Sequence, residues 1–187
     1  MAALLVISSG CKESEVFELL ETIKPVRGRM ELAATRRNGA SVYVDYAHTP
    51  EAIEVALKSL KPHILGKLIV IIGAGGERDE GKRPLMGLAA EKNSDFVIIT
   101  DDNPRNEDPQ LIHQMIKNGI KDKNKVMVIG DRAEAILKAV DLLGVGDCLL
   151  IAGKGHETEQ FIGENIFPFD DFEQASLSVS SLDGIER

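Results

Sequence analysis

Short apolar runs rich in β-branched residues alternate along this chain with longer stretches whose apolar residues recur every three to four positions. The runs Lys67 to Ile72, Phe96 to Ile99, Val126 to Ile129 and Cys148 to Ala152 have strand length. They show almost no polar alternation, as expected of strands buried on both faces. Between them, Ile53, Ala56, Leu57 and Leu60 repeat at helical spacing, as do Leu111, Ile112, Met115, Ile116 and Ile120. A further helix is predicted over Leu85 to Lys92. Thr49-Pro50 and Asp108-Pro109 read as N-cap and first helical residue, and Asp131 caps a helix running to Leu143. Met30 to Thr35 and Val42 to Asp45 flank Arg36-Arg37-Asn38-Gly39 and predict a hairpin. Phe161 to Ile166 predicts a second hairpin, before a closing helix from about Asp171. Strands alternating with helices of ten or more residues predict a doubly wound α/β fold with a mostly parallel sheet.

Residues 1–30 break this pattern. Leu4 to Ile7 is a run of strand length, Gly10 interrupts it, and Val16, Phe17, Leu20 and Ile23 then repeat at helical spacing up to Pro25. One such helix cannot build a core, so the segment must lean on something else. Arg27-Gly28-Arg29-Met30-Glu31 follows as a basic turn and linker, in which Arg29 is either a solvated hinge residue or a ligand for an anion held between domains.

The 187 residues allow one good-sized domain with something appended, and 43% hydrophobic content argues for a packed globule. A net charge of −8 speaks against a nucleic-acid partner. No apolar run reaches membrane-spanning length, and Met1 to Leu5 lacks the basic start of a signal peptide. Cys11 and Cys148 have no metal-ligand spacing, and Cys148 reads as a buried small hydrophobe. These features predict a cytoplasmic protein.

The chemistry concentrates just after the predicted strands, where open parallel sheets bind ligands. Asp45-Tyr46-Ala47-His48-Thr49-Pro50 offers a carboxylate for a ribose hydroxyl and an imidazole for stacking, although both groups could instead serve the helix start. Gly73-Ala74-Gly75-Gly76 leads into Arg78 and Lys82-Arg83, a loop whose amides can approach an anion. It is neither a dinucleotide fingerprint, since Arg78 stands at a required glycine, nor a P-loop, since Arg83 replaces the magnesium-holding Ser or Thr. Thr100-Asp101-Asp102-Asn103-Pro104-Arg105 packs two carboxylates, an amide and a guanidinium into one Pro-stiffened turn. Gly130-Asp131-Arg132 is explained by helix capping alone. Gly153-Lys154-Gly155-His156-Glu157 contains no Ser for a nucleophile elbow, and its two glycines and carboxylate suit a ligand amine.

The segments DYAHTP, GxGGxRDxGKRPxM, TDDNPR and AGKGHE, in this order and spacing, resemble the C-terminal domain of the Mur ligase family, nearest to its meso-diaminopimelate-adding members. GRME at residues 28–31 resembles the junction after that family's central domain. The resemblance implies a Rossmann-like domain over 31–187, with 1–30 as the tail of an upstream ATPase domain and its linker. It implies an ATP-dependent ligase that phosphorylates UDP-N-acetylmuramoyl-L-alanyl-D-glutamate and joins an amino acid to the acyl phosphate. On matching positions, Arg29, Asp45, His48 and Arg78 would face ATP. Arg83, Asp102, Asn103, Pro104, Arg105, Gly153 and Glu157 would hold meso-diaminopimelate; lysine-adding members tend to carry Ala where Arg105 stands. No residue is assigned to a metal. Magnesium, most of the ATP site and the nucleotide-dipeptide site would belong to the domains this chain lacks, so the chain alone is expected to be inactive.

Two alternatives stand beside this reading: a ligase of the same family taking another amino acid, and a non-catalytic module using the same crevice. Arg105 likewise either meets a ligand carboxylate or pairs with Asp102 or Glu107 on the surface.

Overall fold

The computed structural model describes residues 2–184 apart from Glu21 and Lys24. Two strands, β1 (Glu31–Thr35) and β2 (Ser41–Asp45), form the predicted hairpin, with the Gly39 amide donating to the Arg36 carbonyl in its turn. The chain then alternates through α3 (Pro50–Leu60), β3 (Leu68–Ile72), α4 (Lys82–Asn93), β4 (Phe96–Ile99), α5 (Pro109–Asn118), β5 (Val126–Val128), α6 (Arg132–Asp141) and β6 (Cys148–Ala152). A small hairpin of β7 (Glu159–Ile162) and β8 (Asn165–Pro168) precedes α7 (Asp171–Asp183). Thr49, Asp108 and Asp131 each accept a backbone N–H from the first turn of the helix that follows, as N-caps do.

The main sheet has the order β1-β2-β6-β3-β4-β5, with only β1 antiparallel. Right-handed crossovers dictate the layers. The steps β2→β3, β3→β4 and β4→β5 all run the same way across the sheet, so α3, α4 and α5 share one face. The return step β5→β6 runs the other way and puts α6 on the opposite face, where α7 joins it. The side chains record this split. Leu68, Val70 and Ile72 pack with Ile53, Leu57, Met86 and Ile116, whereas Ile69 and Ile71 pack with Ile136, Ala139 and Val179. Strand β6 enters last and lies between β2 and β3, which brings the loops after β2, β3, β4 and β6 to one end of the sheet.

The N-terminal segment forms two short helices. Leu4 to Ile7 lies in a short helix, α1 (Ala2–Ser8), followed by α2 (Glu13–Leu20). No neighbouring strand edge reaches this run, so local helical bonds satisfy its backbone instead. Val16 is buried, but Leu4, Leu5, Phe17, Leu19 and Ile23 are all exposed. The segment is anchored mainly at its far end, where the Arg27 guanidinium pairs with Asp170 and the Gly28 amide donates to Glu31. Among the described residues no helix is long and apolar enough to cross a membrane.

Candidate functional site

Four of the five strand-end loops meet around a cleft of about 210 Å³. Tyr46 and His48 come from the loop after β2, and Gly73, Gly75, Arg78 and Lys82 from that after β3. Asp102, Asn103 and Arg105 follow β4, and Gly153 and Glu157 follow β6. The loop after β5 contributes no wall. The loops fit so closely that side chains are excluded at several glycines. A Cβ on Gly76 would lie 1.9 Å from the Pro104 carbonyl oxygen, and Gly153, at φ +117°, would place one 2.8 Å from Asp102 Oδ2.

Arg83 and Arg105 are used differently. Arg83 is fully buried at the start of α4 and grips Glu107 with both ends of its fork, Nη2 donating to Oε1 at 2.9 Å and Nη1 lying 2.8 Å from Oε2. It also donates to the Gly75 carbonyl at 3.3 Å. The Arg83 guanidinium and the Glu77 amide hold the Glu107 carboxyl below the usual carboxylate range. Arg83 therefore braces the glycine-rich loop against the loop after β4 and does not reach the cleft.

Arg105 is half-buried at the cleft wall and, among the described residues, forms no ion pair; neither Asp102 nor Glu107 takes it. Its Nη1 donates only to carbonyls, at 2.8 Å to Gly76 and 3.4 Å to Asn103. Its backbone sits at φ +52°, which is uncommon for a side-chain-bearing residue. The small hairpin holds it there: the Arg105 amide donates to the Phe161 carbonyl at 3.0 Å, and the Gly163 amide donates to the Arg105 carbonyl at 2.7 Å.

Behind the cleft lies a buried polar cluster. Asn103 Nδ2 donates to Glu157 Oε2 at 3.0 Å, and Asn103 Oδ1 accepts from Lys154 Nζ at 3.1 Å and from the Phe161 amide at 3.0 Å. Deeper still, the fully buried Arg132 makes a two-toothed pair with Asp171, both contacts at 2.7 Å, and donates to the Ala152 and Asp101 carbonyls. Burial opposes its charge, but Asp171, with Asp102 and Glu157 nearby, outweighs burial and keeps the guanidinium more firmly protonated than usual.

The opposite rim is aromatic. Tyr46 meets His48 edge-on at 4.6 Å and His156 at 5.2 Å between ring centroids, and the Arg29 guanidinium lies 4.4 Å over the Tyr46 ring. Asp45 accepts from the Met30 amide at 2.7 Å and the Ala47 amide at 2.8 Å, so it fastens the linker to the end of β2.

Of the residues singled out in the sequence, the structure brings His48, Arg78, Asp102, Asn103, Arg105, Gly153 and Glu157 together at the cleft. Arg29 and Asp45 stand at its aromatic rim, while Arg83 and Pro104 lie buried behind it. Tyr46, Lys82, Lys154 and Arg132 were not singled out. Tyr46, Lys82 and Lys154 sit inside the recognised segments, so proximity to those segments could have found them. Nothing in the sequence links Arg132 to Asp171.

The family model described as "Mur ligase, glutamate ligase domain" matches residues 28–155. A UDP-N-acetylmuramoyl-L-alanyl-D-glutamate–2,6-diaminopimelate ligase of Bradyrhizobium diazoefficiens is 47% identical over 97% of this chain and 36% of its own length. The enzyme of that name from Coxiella burnetii is 50% identical over 86% of this chain and 32% of its own. A solved structure of a ligase of the same name superposes with a TM-score of 0.79 at 36% identity, over 97% of this chain and 37% of that one. The chain thus spans about a third of the length of the relatives it matches.

Proposed function

This chain belongs to the Mur ligase, glutamate ligase domain family, and from that premise we propose that it presents meso-diaminopimelate for amide formation in a larger, ATP-dependent ligase. The second substrate of that ligase is UDP-N-acetylmuramoyl-L-alanyl-D-glutamate, and the reaction belongs to peptidoglycan synthesis in the cytoplasm. The carrying observation is Arg105: a half-buried guanidinium with no acidic partner among the described residues, facing a cleft that also holds the carboxylates of Asp102 and Glu157. The distal end of diaminopimelate bears a carboxylate and an ammonium side by side. A guanidinium matches the carboxylate as a two-toothed fork, and Glu157 with the neighbouring Gly153 backbone takes the ammonium. The other amine is thereby left pointing out of the cleft as the nucleophile.

When bound, ATP supplies the phosphoryl group that turns the D-glutamate γ-carboxylate into an acyl phosphate. The chain's residues fit its approach: Arg78 and Lys82 flank a loop whose glycines allow amides to face an anion, and Tyr46, His48 and Arg29 offer a surface for a base. Among the described residues no group of three His, Cys, Asp or Glu side chains could hold a metal ion. Asn103, Pro104 and Arg83 support the amino-acid site from behind. The exposed apolar side chains of α1 and α2 fit residues 1–30 being the end of a preceding domain and its linker.

The test is amide formation by the ligase carrying this chain, with ATP, the nucleotide dipeptide and either meso-diaminopimelate or lysine. We expect a preference of about 10³–10⁴ for meso-diaminopimelate, and no phosphate release by this chain alone. Comparable use of lysine would overturn the assignment.

A further inference from the structure

Lys154 has no place in the ligand contacts above, yet it is among the most completely enclosed side chains in the molecule, with an exposure of 0%. A buried ammonium is costly unless its three N–H groups all find acceptors and its charge finds a partner. Here they do. Nζ donates at 2.6 Å to the Glu159 carbonyl, at 3.1 Å to Asn103 Oδ1 and at 3.2 Å to Glu157 Oε2. Glu157 Oε2 also accepts from Asn103 Nδ2 at 3.0 Å, so a single carboxylate oxygen is held by two donors while Glu157 itself still lines the cleft. Asn103 is only 4% exposed; its Oδ1 accepts from both Lys154 and the Phe161 amide, and its Nδ2 donates to Glu157.

We propose that Lys154 is a positioning residue for specificity: with Asn103 it fixes Glu157 Oε2 inside the protein and leaves Oε1 aimed at a substrate ammonium. The inference rests on the reading that Glu157 takes the distal ammonium of meso-diaminopimelate. Charge completes the logic. Asp102 and Glu157 are the carboxylates of the cleft, and Arg105, Arg78 and Lys82 are its cations. Without Lys154, Glu157 Oε2 loses its charged donor and keeps only the neutral Asn103 contact, which fixes the carboxylate less firmly. Lys154 also joins the loop after β6 to the first residue of β7, the hairpin that clamps the Arg105 backbone. A single buried ammonium thus sets the carboxylate for the amine and helps seat the guanidinium for the carboxylate.

The experiment uses the ligase carrying this chain and two amino acids: meso-diaminopimelate, and 2-aminopimelate, which keeps both carboxylates and the attacking amine but lacks the distal amine. The readout is the ratio of their kcat/KM values. Glu157→Gln is expected to lower that ratio by about tenfold or more, because a charge-assisted contact made only to the distal amine is lost. Lys154→Met, similar in length but uncharged, is expected to lower it comparably, chiefly through KM for meso-diaminopimelate. Lys154→Gln, whose uncharged amide can still donate, should lower the ratio less than Lys154→Met and serves if the Met variant does not fold. A ratio that falls in Glu157→Gln but stays at the parent value in the Lys154 variants would overturn the positioning role while leaving the amine site standing. An unchanged ratio in Glu157→Gln would remove the amine site itself, and the role of Lys154 with it.

Discussion

The Arg83 fork closes on Glu107 through contacts of 2.9 and 2.8 Å, so Glu107 is not the partner of Arg105. Arg83 stands in the first turn of α4 and Arg105 on the loop after β4, with Glu107 two residues after Arg105. Burial decides between them: Arg83 has no exposure and needs the carboxylate, whereas Arg105 stays partly solvated and is served by carbonyls.

That asymmetry predicts unequal mutational costs. Glu107→Ala leaves a fully buried guanidinium unpaired and is expected to cost about 3–5 kcal/mol. Arg83→Met leaves a carboxylate that water can still reach, and should cost about 1–2 kcal/mol. Urea denaturation measures both; equal losses would contradict the account. The Glu107 carboxyl is depressed below its ordinary value of 4.5. Its contribution is therefore complete above that pH and lost as pH falls through the folded-state value, so the Glu107→Gln variant should lose less stability than the parent on acidification below about pH 4.5.

The two thiols should behave oppositely. Cys148 is buried in β6, and burial pushes its thiol up to about 12, while Cys11 is exposed. A disulfide reagent at pH 8 is expected to label one thiol per folded chain and two in denaturant. The raised value also costs stability in alkali. The unfolded thiol ionises near 9.0 and the folded one does not, so stability falls as pH rises from there towards 12, and Cys148→Ala should blunt that fall.

Hydrogen exchange should divide the chain near Gly28. Exposed Leu4, Leu5, Phe17 and Leu19 leave α1 and α2 few buried contacts, whereas every residue of β3 is buried. Amides of residues 4–20 are expected to exchange through openings far below global unfolding, and those of Leu68–Ile72 only near it. Equal protection in the two segments would show that the helices are docked on the domain.

Periodicity carried the fold further than it carried the site. Uninterrupted apolar runs placed β3, β4 and β6, and Pro after Thr or Asp placed the starts of α3 and α5, because both signals are local. The Leu4 to Ile7 run stays unassigned because a short apolar run suits a strand or a helix equally. At the site, the polar residues after each strand could be read as facing one crevice, since a parallel sheet gathers its strand ends. Their division of labour could not. Arg83 and Arg105 look alike in sequence, and only burial separates the brace from the free guanidinium. Lys154 and Arg132 act through partners that the fold brings near, Asn103 and Asp171, at sequence separations of 51 and 39.

The most direct test of the central claim is Arg105→Ala in the ligase carrying this chain, with kcat/KM measured for meso-diaminopimelate and for lysine. Lysine lacks only the distal carboxylate, so an Arg105 that grips that group matters for one substrate and not the other. The account predicts a loss of about two orders of magnitude or more with meso-diaminopimelate and little change with lysine. An equal fall with both would make Arg105 a structural residue and contradict the assignment of the cleft.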